Sequence, residues 1–150
     1  MQNQNINAEQ AYRTLVIIWA ALLMSQFLFL LIIYVVKPEV FRFDFSKPLL
    51  GQDSVFIIAL AGISVLNFAM SFVLRKKFLN QAVAEQKIPL VQTAMITGCA
   101  LCESISLFGL LLVFLQSYQY FFLFFALAIL GFILHFPRRE NLIAASYKKQ

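Results

Sequence analysis

Charge is what this chain has least of: Asp, Glu, Lys and Arg make up only 13% of its 150 residues, against 61% hydrophobic ones. A soluble domain of this size could not cover so much apolar surface. Histidine occurs once, at His135, so a haem held between two histidines of this chain is excluded. No Gly-rich phosphate loop and no nucleophile elbow occurs. A cleavable signal peptide is not expected, because the first apolar run is too long and no small-residue cleavage site closes it. No internal repeat stands out. The net charge of +5 is not a nucleic-acid signal, since the Lys and Arg residues gather at the ends of apolar segments.

What the chain does have is apolar length. Seventeen Phe residues suit a lipid-facing surface, and the mean hydropathy is +0.81. Four apolar runs stand out, each long enough to cross a hydrocarbon core of about 30 Å as a helix rising about 1.5 Å per residue. The expected fold is all-α: a polytopic membrane protein forming one four-helix transmembrane domain over residues 1–150. Its helices are expected at about 12–36, 54–76, 89–116 and 118–136. Pro89 suits the first turn of the third helix. The short turn near residues 116–119 makes the third and fourth helices antiparallel neighbours.

Topology follows from the basic residues of the short loops. Arg13, Arg75, Lys76, Lys77, Lys87, Arg138, Arg139, Lys148 and Lys149 fall on one side, and only Lys37, Arg42 and Lys47 on the other. Both termini are therefore expected on the cytoplasmic face. The loop of residues 37–53 contains Phe41-Arg42-Phe43-Asp44-Phe45, whose alternation permits a short strand but better suits a segment lying in the headgroups. Tyr12, Tyr118 and Tyr120 fall where interface anchors are expected.

Glu103 is the one charge within residues 90–115 and lies near the middle of that run. A carboxylate at that depth costs several kcal/mol unless it is protonated, paired or hydrated, so it is a functional candidate by default. Cys99 and Ser106 share its helical face. Gly98, Cys102 and Gly109 form an adjacent small-residue stripe whose plainest role is to let another helix approach closely. Packing does not require an acid, so the stripe does not account for Glu103. The other intramembrane polar residues are Ser25, Gln26, Ser64, Asn67 and Ser71, expected to face the bundle interior. Gln26 or Asn67 is the natural partner for Glu103.

The stretch Gly98-x-Ala100-Leu101-x-Glu103-Ser104-x-x-Leu107-x-Gly109-Leu110 resembles the carboxylate helix of the rotor-ring proteolipid (subunit c) of F- and V-type ATP synthases. The preceding apolar helix, basic loop and Pro89 resemble the rest of that family's hairpin. The resemblance implies that Glu103 binds a proton or sodium ion, with Ser104 beside it and Asn67 completing the site from the partner helix. Helix 2 departs from the family pattern: it has Ala59, Ala61, Gly62 and Ser64 but no glycine run, and Phe56, Phe68 and Phe72 are bulky.

Cys99-Ala100-Leu101-Cys102 is a C-x-x-C, which opens a membrane thiol oxidoreductase as a reading. That chemistry needs a second cysteine pair and thiols near the outer surface, and this chain has two Cys, both at the midplane. Two buried packing residues without a disulfide are the plainer reading. For His135, anchoring at the interface is the plain reading. The sequence thus leads to a small non-enzymatic integral membrane protein, an accessory subunit of a larger membrane complex. The alternative is proteolipid-like proton or sodium binding and translocation through Glu103; a small transporter rests on the same residue. No cofactor and no metal site are expected. The expected partners are the lipid bilayer and other membrane subunits, or self-association, with no nucleic acid. The expected location is the bacterial inner (cytoplasmic) membrane.

Overall fold

The computed structural model describes residues 2–42, 44, 46–50 and 54–146, with residues 2–8 as backbone alone. Among the described residues the chain is all-helical. It comprises α1 (Gln2–Val36), a 3₁₀ turn (Pro38–Phe41), α2 (Ser54–Glu85), α3 (Ile88–Gln116), a 3₁₀ turn (Gln119–Phe121), α4 (Phe122–Leu134) and α5 (Arg139–Ser146). Three segments are long and apolar enough to cross a membrane: Glu9–Val36, Ser54–Glu85 and Ile88–Gln116. The fourth apolar run is broken. Gln119–Leu134 and Arg139–Ser146 meet at a 46° bend and satisfy the length only as a pair.

α1 and α5 depart from the sequence expectation, whereas α2 extends past Arg75 as the helix formers between Arg75 and Ile88 permit. α1 begins well before residue 12. α2 runs past Arg75-Lys76-Lys77 to Glu85, because Phe78 to Glu85 is rich in helix formers and nothing there breaks the backbone ladder. It stops where Gln86 adopts a left-handed φ of 54° and the Lys87 amide bonds back to the Ala82 carbonyl. α5 was not expected at all. It follows Pro137, which cannot continue the ladder of α4.

α3 is the hub and packs against α1, α2, α4 and α5, while α1 and α2 have no substantial packing with each other. The small-residue stripe of α3 faces α4. A Cβ on Gly98 would lie 2.2 Å from the His135 ring, and one on Gly109 would lie 2.9 Å from the Cβ of Phe124. α4 answers with Gly131, where a Cβ would meet the Cys102 sulfur at 2.4 Å. These helices therefore approach more closely than any side chain at those positions would allow. One core cluster gathers Leu15, Val91, Met95, Cys99, Cys102, Phe132 and Leu142 near the α2–α3 turn. Two others fill the far half around Leu60, Ile105 and Phe124, and around Ile33, Val113 and Phe121.

The outward faces are apolar, with Val55 80% exposed and Ile17 69% exposed. Such surfaces, on three helices of spanning length, fit a membrane protein. The long loop between α1 and α2 is stitched to the α3–α4 hairpin. Gln119 accepts from the Asp44 amide and donates to its carbonyl, while Tyr118 and Tyr120 donate their hydroxyls to the Leu49 and Lys47 carbonyls. Phe43 and Phe45, which carry the alternating pattern, lie outside the described residues, as do Lys148 and Lys149.

Candidate functional site

One turn of α3 projects three polar side chains toward two different helices. Toward α1, the Ser25 Oγ lies 2.7 Å from Glu103 Oε1 and donates to it. The same hydroxyl lies 2.7 Å from the Leu22 carbonyl, so its single proton has two acceptors. Glu103 is half-buried; its Oε2 makes no hydrogen bond among the described residues and is not enclosed. One turn on, Ser106 donates to Gln26 Oε1, and both residues are fully buried. Gln26 Nε2 reaches Ser25 Oγ at 3.4 Å, which links the pairs into one run along the α1–α3 contact.

Toward α2, Asn67 Nδ2 donates to Ser104 Oγ at 2.8 Å, and that hydroxyl donates to the Leu101 carbonyl at 2.7 Å. Of the residues singled out from sequence, the structure therefore brings Asn67 and Ser104 together. It places Glu103 elsewhere, against Ser25 rather than Asn67 or Gln26. The reason is rotational: Glu103 and Ser104 are one residue apart, so about 100° of helix separates them, and each meets a different neighbour. Ser25 was visible as an intramembrane hydroxyl, but no sequence signal tells which face of α1 turns to α3.

Cys99 and Cys102 are free thiols, both fully buried. Among the described residues, no three His, Cys, Asp or Glu side chains gather to hold a metal ion. His135 is not at the surface: it is fully buried over Gly98, its Nδ1 lies 2.7 Å from the Gly131 carbonyl, and its ring stacks at a tilt on Phe72. Among the described residues its Nε2 has no hydrogen-bond partner, although the Ser71 main chain comes close. Arg75 closes this end, donating to the Leu134 and Phe136 carbonyls at 2.8 and 3.2 Å. These are unpaired carbonyls of the α4 C-terminus, which favours a cation there.

A cavity of about 470 Å³ opens between α2 and α4 beneath Leu49 and Leu50, floored by Ile57, Ala61, Gly62 and Phe124. Among the described residues its lining includes no charged side chain, and Ser64 there donates its hydroxyl to the Leu60 carbonyl. The chemistry available within the helices therefore rests on Glu103, with Ser25 as its donor. No family model matches the chain, and neither a curated protein nor a solved structure matches it.

Proposed function

We propose that this chain is a small, non-enzymatic integral membrane subunit that packs within or beside a larger membrane complex. In this reading the fourth apolar run, about residues 118–136, provides a fourth crossing, and both termini face the cytoplasm of a bacterial inner membrane. The basic residues around Arg75–Lys77 and Arg138–Arg139 support that orientation. One observation carries the functional reading. Six polar side chains of the spans are used in helix–helix hydrogen bonds, Asn67 to Ser104, Ser25 to Glu103 and Ser106 to Gln26, Ser64 and Ser71 bond to carbonyls of their own helix, and among the described residues no ligand-sized polar constellation is left over. Bonds of this kind hold and orient helices at roughly 0.6–2 kcal/mol each.

A second reading is proteolipid-like binding of a proton or sodium ion at Glu103. The Asn67–Ser104 bond favours it, since it ties α2 to α3 beside the acid. Against it, Glu103 turns away from that pair. Two variants separate the readings. In the subunit reading Glu103→Gln keeps a group of similar shape, leaves the bundle folded and changes no proton or sodium flux, while Glu103→Leu destabilises the bundle. In the ion-binding reading Glu103→Gln abolishes proton or sodium uptake into liposomes with assembly unchanged.

A further inference from the structure

α1 and α2 pack on α3 with no substantial packing on each other. Between them α3 leaves a strip open to the surroundings: Ile96, Ala100, Leu107 and Leu111 are all exposed, the three larger ones to 40–43%. The outward faces of α1 and α2 are more exposed still, at 69% for Ile17 and 80% for Val55. Glu103 borders this strip, three residues after Ala100 and four before Leu107. Its Oε1 takes the Ser25 hydroxyl, and its Oε2 has no hydrogen bond among the described residues.

An acid in that position needs a donor or a cation. Among the described residues the chain supplies one donor, the Ser25 hydroxyl on Oε1, and neither a donor nor a cation to Oε2. The basic residues nearest the helix ends are occupied, Lys37 on the Phe114 carbonyl and Ser117 hydroxyl, Arg75 on the end of α4. We infer that the strip seats a transmembrane helix of a different polypeptide, one that presents a lysine or arginine to Glu103. The charge balance selects the occupant. A second copy of this chain would bring another Glu103 and no base at that depth, and lipid tails would leave Oε2 unpaired. Ala100, small and exposed at the level of the acid, admits the backbone of the incoming helix. This inference rests on the subunit reading and names the chemistry of the partner.

The test uses the full chain in phosphatidylcholine vesicles, with a polyleucine helix of about 20 residues carrying one central lysine as the probe. Energy transfer reports association. The lysine helix is expected to bind about five- to thirty-fold more tightly than the same helix without lysine. Glu103→Gln removes that preference, and Glu103→Asp retains it. A photoreactive group at Leu107 captures the probe, and one at Val55 does not. Equal binding of the two helices, a preference that survives Glu103→Gln, or capture through Val55 overturns the inference. So does self-association of the chain through Leu107. A lysine preference in a chain found solitary in its native membrane keeps this site and removes the subunit reading. A native complex whose chain shows no lysine preference does the reverse.

Discussion

Gly131→Ala is the most informative single perturbation of the α3–α4 contact. The added Cβ would stand 2.4 Å from the Cys102 sulfur, 3.2 Å from its Cβ and 3.4 Å from Phe68. Favourable contact between such atoms lies at about 3.5–4 Å, so the sulfur must move by roughly 1 Å or α4 must lift. Overpacking of this size costs about 1–3 kcal/mol. Lifting α4 also strains the bond from the Trp19 indole to the Phe132 carbonyl, now 2.8 Å. Removing the sulfur should relieve most of this. In Cys102→Ala/Gly131→Ala only the 3.2 Å Cβ contact and the Phe68 edge remain, and shifts of a few tenths of an ångström absorb them. The double variant should therefore be less destabilised than the sum of the singles by about 1–2 kcal/mol. Cys99 is fully buried and present in every variant, so its alkylation rate in mild detergent reports opening of the bundle. Gly62→Ala is the control: nothing lies within 4 Å of its Cβ, and it should be neutral or slightly stabilising. Additive effects of Cys102→Ala and Gly131→Ala, or equal damage from Gly62→Ala, would refute this packing argument.

Arg75→Met should cost about 1–3 kcal/mol by stranding the Leu134 and Phe136 carbonyls, with Arg75→Lys recovering part of it; equilibrium unfolding in mixed micelles checks this, and a neutral Arg75→Met contradicts it. For orientation, single cysteines at Ser46 and Asn80, both exposed, should react with an impermeant maleimide from opposite sides, Ser46 from outside; the native thiols are too buried to interfere. Equal labelling in sealed cells overturns the four-crossing topology. The Ser46 hydroxyl and amide hold the Asp44 carboxyl below its usual range. A depressed folded value means that the turn is fully stabilised above the ordinary Asp pKa and loosens as pH falls through the lower, folded one. Protection of the Ser46 amide against exchange should follow that order, and loss of protection already at the ordinary Asp pKa would contradict it.

The three long helices were legible because hydropathy and length alone define them, and the α3–α4 hairpin because its turn is short. The glycine stripe was also readable, since only close approach explains Gly98 and Gly109 on one face. Three things were not. α5 follows Pro137-Arg138-Arg139, a pattern that reads as the end of the last helix, and its burial of Leu142 and Ala145 depends on tertiary packing. The pairing of Ser25 with Glu103 depends on the rotation of α1, which is apolar on all sides and so gives no facing signal. His135 reads as an interface residue by position, but the missing side chain at Gly98 makes room for its ring inside the bundle. For Ser25 and His135 the segment is legible and packing decides the face.

The central claim is that this chain works as one subunit of a larger membrane assembly. Its most direct test is the mass and composition of the species released from native membranes in mild detergent, read by native mass spectrometry. The account predicts a discrete complex holding this chain and at least one different membrane polypeptide at a constant ratio across preparations. Recovery only as the 17.2 kDa chain, or only as copies of itself, would contradict it.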